Sequence, residues 1–160
     1  MDIRMLAVDP GSKNFGWVHM TSNRIVLGPS VLTLTGDNAR SYTTLFHFIR
    51  QQLEGQILNN GVHIKPNYIA IEQYFPRRQK GATIIPEVRG IIKLAAYQLD
   101  VNIVDVPPSR VKKFVTGNGK ATKDEVRAVV CSMYSINLES SDAADAIAIG
   151  LTAYDRIVNG

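Results

Sequence analysis

Four carboxylates stand where chemistry could use them. Asp9 ends an apolar run that starts at Ile3 and stops at Pro10-Gly11. Glu72 ends a second such run, Tyr68-Ile-Ala-Ile-Glu72. Asp142 and Asp145 follow Ser140-Ser141 and lie three residues apart, a spacing that puts them on one face of a helix. A charge at the junction of a buried strand and a tight turn is costly unless something pairs with it. Four acids brought together would repel, since each like-charge pair at ~4 Å costs about 4 kcal/mol at an effective dielectric near 20. Divalent cations relieve that repulsion. Hard oxygen ligands without Cys or His select Mg²⁺ or Mn²⁺ over zinc. Two such ions suit phosphodiester hydrolysis, one activating water and the other stabilising the leaving 3′ oxygen.

Each acid taken alone has a plainer explanation. Asp142 and Asp145 could simply favour a helix N-terminus. Glu72 could pair with Arg77 or Arg78, and Asp9 could cap its own Pro-Gly turn. Ala143, Ala144 and Ala146 weigh against dispersing the helix acids into solvent, because small residues imply close packing at that helix end. His19, His47 and His63 sit in no motif and read as structural or surface residues.

Basic residues flank these acids in the chain. Arg77, Arg78 and Lys80 follow Glu72, with Tyr74 and Phe75 interleaved as candidate base-stacking platforms. Arg110, Lys112, Lys113, Lys120 and Lys123 surround the Gly117-Asn-Gly119 loop. A solvated face is the usual meaning of a charge run. Beside the acids, these residues also fit contacts to a phosphate backbone. Gly117-x-Gly119-Lys120 is too short to be a phosphate-binding P-loop.

The elements that must position these groups can be read in order. Ile3–Asp9 is a strand expected to be central, and residues 15–21 and 24–34 are two more around a hairpin signal at Thr21-Ser-Asn-Arg24. Gly36-Asp37-Asn38 supplies an N-cap. Tyr42, Leu45, Phe46, Ile49, Leu53 and Ile57 then follow helical spacing as far as Asn59-Asn-Gly61. Residues 66–72 form the next strand, joined to the first by a parallel crossover. Pro86 and Glu87 open a helix through Leu99, and 101–106 is a strand stopped by Pro107-Pro108. A short helix spans 111–115. Thr122 with Glu125 forms a capping box for a helix carrying Val126, Val129, Val130, Cys131 and Met133, and Ser140-Ser141 caps a last helix to about Ile157. The sum is a mixed α/β sheet covered by helices.

Bulk properties fit this reading. The 160 residues suffice for one domain with a real core, so residues 1–160 are expected to be a single domain. The net charge of +4 weakly favours a polyanionic partner. A single cysteine, Cys131, excludes a disulfide framework. No apolar run approaches the ~18 residues of a membrane span, so the expectation is a cytoplasmic protein with no membrane association.

Taken as an ordered set, the motifs resemble the RuvC family of Holliday-junction resolvases, within the RNase H-like superfamily. The matches are Val8-Asp-Pro-Gly-Ser12 with Gly16, and Ala70-Ile-Glu-Gln73 with Phe75. They continue with Arg110-Val-Lys112 leading to Gly117-x-Gly-x-Ala-x-Lys123, and end with Asp142-Ala-Ala-Asp-Ala-Ile-Ala148. The resemblance implies an RNase H-like nuclease domain with a five-stranded sheet in the order 3-2-1-4-5, its first three strands antiparallel. It implies metal ligation by Asp9, Glu72, Asp142 and Asp145, with two ions per site and no small-molecule cofactor. Lys112 and Lys123 match lysines beside the active site, Lys123 with a catalytic role, and Phe75 matches an aromatic that stacks near the junction centre. It further implies a homodimer on branched DNA in the bacterial cytoplasm or a phage-infected cell. The basic segment between Pro76 and Val88 departs from the family's small-residue pattern. Gly90 stays in register and is expected to be a point of close packing. The residues alone leave two other readings open: a related nuclease on RNA–DNA hybrid or structured RNA, and a non-catalytic binding module.

Overall fold

Alternation along the strands decides which side chains meet which helices. In the computed structural model, which describes residues 2–22, 24–76 and 84–160, the first three strands are β1 (Arg4–Asp9), β2 (Asn14–Thr21) and β3 (Arg24–Thr33). They form an antiparallel meander in which Val8 pairs with Trp17 and Asp9 with Gly16. Helix α1 (Asn38–Glu54) crosses over, and a small hairpin of β4 (Gln56–Ile57) and β5 (His63–Ile64) follows. Strand β6 (Tyr68–Glu72) then pairs parallel with β1, Val8 opposite Ile71. Helix α2 (Ile84–Gln98) leads to β7 (Asn102–Val106), which pairs parallel with β6 so that Ile71 faces Asp105 and Glu72 faces Val106. The sheet order is β3-β2-β1-β6-β7, the expected order once the hairpin is set aside. Helices α3 (Pro108–Thr116), α4 (Lys123–Tyr134) and α5 (Ser141–Asn159) complete the chain.

Both faces of the sheet are covered. Met5, Ala7, Met20, Ala70 and Val106 pack with α3, α4 and α5, while Leu6, Val8, Phe15, Ile69 and Ile71 pack with α1 and α2. Because successive side chains point to opposite faces, Asp9 continues the Met5–Ala7 file and Glu72 the Tyr68–Ala70 file, both toward α5. Asp105 belongs to the other file and faces α2. Each fully buried aliphatic side chain in these layers stabilises the fold by roughly 1.5–3 kcal/mol.

The alanines of α5 do what their size suggests. Ala143, Ala144, Ala146 and Ala148 are all buried, and two glycines let the helix approach. A Cβ on Gly150 would lie 2.5 Å from Met20 Sδ, and one on Gly16 would lie 2.0 Å from the Asp142 carbonyl oxygen. Capping follows expectation at three helices. Asp37 accepts from the Arg40 N–H at 2.9 Å, Thr122 and Glu125 form the reciprocal capping box, and Ser140 accepts from the Asp142 N–H.

Several boundaries differ from the sequence reading. Helix α1 stops at Glu54, because Gly55 turns the chain at φ +119° and the hairpin begins. Ile57 therefore leaves the helical stripe and is 74% exposed. Helix α2 begins at Ile84, with Pro86 in the first turn, where its missing N–H breaks no helical bond. Helix α3 begins at Pro108 rather than Val111. Met133 projects from α4 into solvent. Among the described residues of the chain, a Cβ on the exposed Gly90 would meet nothing within 4 Å.

Candidate active site

The parallel pairing of β1 with β6 brings Asp9 and Glu72 out at one sheet edge, where α/β sheets place ligands. The first turn of α5 supplies the other two acids from above. Gly16, opposite Asp9 in the β1–β2 ladder, is what allows that turn to reach the sheet. Carboxylate oxygens of Asp9, Asp142 and Asp145 all lie within 4.8 Å of one another. Glu72 lines a cavity of about 420 Å³ together with Asp9, Asp145, Lys112 and Lys123, and Tyr74 and Phe75 stand on its wall.

One ammonium sits among the acids. Lys123 Nζ lies 2.8 Å from Asp145 Oδ2, 3.5 Å from Asp142 Oδ1 and 3.9 Å from Asp9 Oδ2. Among the described residues it is the only cation in ion-pair contact with them, which leaves the cluster short of positive charge. Burial, then the Asp145 charge, pushes Asp9 up to about 7 despite Lys123. At 1.36 kcal/mol per unit, keeping Asp9 ionised there without a further cation costs on the order of 4 kcal/mol. Burial and Asp145 likewise raise Glu72, and burial raises Asp145 against its hydrogen bond from Lys123. Burial alone would lower Lys123; the Asp145 hydrogen bond and the surrounding carboxylates hold it above its ordinary value instead.

The donor set fits a hard divalent cation. The cavity lining among the described residues contains no Cys and no His, and the acids are clustered and undercompensated. Of the plainer explanations, the turn cap at Asp9 gives way to an ion pair with Lys123 beside Asp145. Asp142 does stand in the first turn of α5, where the helix N-terminus favours it, and a pairing of Glu72 with Arg77 or Arg78 falls outside the described residues.

The structure sorts the basic residues. Lys112 and Lys123 line the cavity. Arg110 turns instead to Asp155 of α5, 3.8 Å away, while Lys113 and Lys120 are exposed outside it. Arg77, Arg78 and Lys80 lie outside the described residues. His19 is buried and bonded to Gln52 at 2.9 Å, and His47 and His63 are exposed, as expected.

Reasoning from sequence missed Arg89. Its guanidinium is buried, bonds the backbone carbonyl of Glu72 through Nη1, and pairs with Asp105 through Nη2. The signal was present, because position 89 falls on the same helical stripe as Val88, Ile92 and Ala96, where a charge needs a reason.

The model of a protein family described as "Crossover junction endodeoxyribonuclease RuvC" matches residues 5–153. The chain belongs to the RuvC family. Curated relatives agree along nearly their whole length. RuvC of Campylobacter jejuni subsp. jejuni serotype O:23/36 (strain 81-176) is 32% identical over 155 residues, 95% of this chain and 94% of that one. RuvC of Brachyspira hyodysenteriae (strain ATCC 49526 / WA1) is 32% identical over 154 residues, 94% and 93% of the two chains. Among solved structures, Thermus thermophilus RuvC superposes with a TM-score of 0.76 at 22% identity, covering 98% of this chain and 97% of that one. The same protein in complex with Holliday junction substrate gives 0.78 at 23%, covering 98% and 96%. At that identity the structural match speaks to the fold. Among the described residues, no helix is long and apolar enough to cross a membrane.

Proposed function

We propose that Asp9, Glu72, Asp142 and Asp145 hold two Mg²⁺ or Mn²⁺ ions, with which each protomer of a homodimer hydrolyses one phosphodiester of a four-way DNA junction. The chain is a Holliday junction resolvase by family membership. The observation that carries the metal-site reading is the cluster of Asp9, Asp142 and Asp145 from β1 and α5, with Glu72 of β6 lining the same cavity as Asp9 and Asp145 beside Lys112 and Lys123. Bound there, the ions would activate water and stabilise the leaving 3′ oxygen, giving 5′-phosphate and 3′-hydroxyl ends.

The chain's own residues have separate tasks. Lys123 is the catalytic lysine. With cations held by the acids, its ammonium would be free of its contacts to Asp9, Asp142 and Asp145 and could meet the scissile phosphate. Lys112 holds the same phosphate from the cavity wall, and Phe75, 56% exposed at the rim, offers its ring to a base at the junction centre. Tyr74 flanks it. Arg110, Lys113 and Lys120, with Arg77, Arg78 and Lys80, neutralise the phosphates of the arms. Such a substrate places the protein with the DNA, in a bacterial cytoplasm or a phage-infected cell.

The outer face of α2 supports the homodimer. Gly90, Leu94 and Tyr97 share that face, and the latter two are 52% and 73% exposed. The bare glycine leaves room for a second helix. Two-fold pairing through such a patch would match the symmetry of a four-way junction. Replacing Leu94 with Asp is expected to yield a monomer by light scattering.

The test of the whole reading sets a four-way junction beside a linear duplex, an RNA–DNA hybrid and a folded RNA, with Mn²⁺ and without. Metal-dependent paired nicks in the junction are the expected result. Preference for the hybrid or the RNA would overturn the substrate, and cleavage without metal would overturn the site.

A further inference from the structure

We propose that Arg89 is a positioning residue for Glu72, locking the end of β6 through a part-buried bridge to Asp105. The proposal rests on the reading of Glu72 as a metal ligand. Arg89 is 8% exposed, so its charge is held almost out of water and needs partners that compensate it. It has two. Nη1 donates to the Glu72 carbonyl, and Nη2 pairs with the Asp105 carboxylate, one strand over on β7. A planar fork with fixed donors can serve both at once, which a lysine ammonium cannot do with the same geometry.

Asp105 is held from both faces of the sheet. Lys93 Nζ, one turn after Arg89 on α2, approaches its second carboxylate oxygen at 2.8 Å. Arg156, near the end of α5, donates to the Asp105 backbone carbonyl at 2.5 Å. The β6–β7 ladder ends here too, with the Gln73 N–H bonding the Val106 carbonyl at 2.7 Å. Glu72 is thus the last residue of its strand, and Gln73, Tyr74 and Phe75 continue without regular structure. The ladder bond of Gln73 holds the chain just past Glu72, and the Glu72 carbonyl itself is held by the Arg89 guanidinium, which fixes the peptide plane following the ligand. Supporting contacts of this kind, once removed, typically cost metal sites about 10–100-fold in affinity.

The test compares wild type with Arg89→Gln, Arg89→Lys, Asp105→Asn and Glu72→Gln in the full-length protein. Mn²⁺ alone is titrated and followed by the EPR signal of the free ion, so the readout does not depend on cleavage. Thermal midpoints and junction-nicking kinetics are measured in parallel. Arg89→Gln and Asp105→Asn are expected to weaken Mn²⁺ binding by about tenfold or more. They should also lower kcat by about 100-fold with KM for the junction unchanged. Arg89→Lys should recover the midpoint but not the Mn²⁺ affinity, which separates positioning from mere charge balance. If Arg89→Gln does not fold, Asp105→Asn carries the test, because Asp105 is a third exposed and leaves the rest of the helix in place. Mn²⁺ affinity within about twofold of wild type in Asp105→Asn and the Arg89 variants, with Glu72→Gln weakened, would overturn the positioning role alone. Unchanged Mn²⁺ binding in Glu72→Gln would overturn the ligand reading and the proposal with it.

Discussion

One carboxylate and a cluster of four sit at the same end of the sheet on opposite faces, and they are balanced oppositely. On the α2 face, Asp105 meets Arg89 and Lys93, two cations for one acid. On the α5 face, Asp9, Asp142 and Asp145 share Lys123, with Glu72 in the same cavity. Burial works to raise Asp105, but the hydrogen bonds from Lys93 and Arg89 overcome it and hold the carboxyl below its ordinary range. Burial raises Asp9 to about 7, and its neighbours are mostly acids. The difference separates structure from function. A fold that can compensate one acid of its edge strand twice over has left four others, on the opposite face, short of positive charge. That shortage is what a cation from solution would fill.

The contrast can be broken at several points. The largest effect is expected from Asp9→Asn, which should lower junction nicking by ~10³-fold or more, since metal-borne stabilisation of the transition state is worth several kcal/mol. Junction binding, measured by gel shift, should be retained. A variant that still nicks at the wild-type rate would remove Asp9 from the site.

Next in size is the response of the metal-free protein to pH. Asp9 titrates higher in the folded state than its ordinary 3.8, so folding takes up a proton between about 4 and about 7. The contribution of this group to the stability of the metal-free protein is therefore fully present below the ordinary carboxylate value and is lost as pH rises toward 7, by up to about 4 kcal/mol. Urea midpoints at pH 5 and pH 8 should show the fall, and saturating Mn²⁺ should flatten it. Midpoints that rise over this window in the absence of metal would contradict the charge shortage.

Stability without metal should also respond to the two faces with opposite sign. Asp105→Asn is expected to lose about 2 kcal/mol, less than a fully buried pair because Asp105 and Lys93 are partly solvated. Asp9→Asn should gain stability at pH 8, since it removes one of the crowded charges. Equal signs in the two variants would erase the distinction drawn between the faces.

The smallest effect concerns Lys123. Replacing it with Met removes the ammonium that competes for the same oxygens, and Mn²⁺ should bind about tenfold tighter by titration, one unit of linkage, while nicking falls. Weaker binding would mean that Lys123 supports the metal rather than standing in for it.

Much of this was legible before any coordinates. The helical stripe Tyr42–Leu53, the Thr122–Glu125 box and the Ser140 cap are local signals, and local geometry honours them. The four acids were legible because each sits at a boundary, two at strand ends and two in a helix's first turn. What escaped depends on tertiary partners. Arg89 drew no reading of its own, because its partners Asp105 and the Glu72 carbonyl stand beside it only in the fold. Ile57 kept helical spacing, yet Gly55 broke the helix two residues earlier. Arg110 had the sequence context of a substrate contact, and only the fold shows that Asp155 of α5 lies beside it as well. Periodicity reports on one element at a time, and these outcomes each needed two.

Gly16 decides how this protein tolerates change. The atoms nearest to a Cβ added there are backbone atoms of residues 142 and 143, so the close approach of β2 and α5 is set by backbone and not by which group position 142 carries. Acids there and at 145 can be exchanged for amides while the helix stays docked, which makes inert but junction-holding forms reachable by single substitutions. Position 16 has no such latitude. A single added methyl would meet backbone 2.0 Å away and push both helix acids off the sheet edge at once. A screen for folded but inactive variants should therefore recover the carboxylates readily and Gly16 hardly at all.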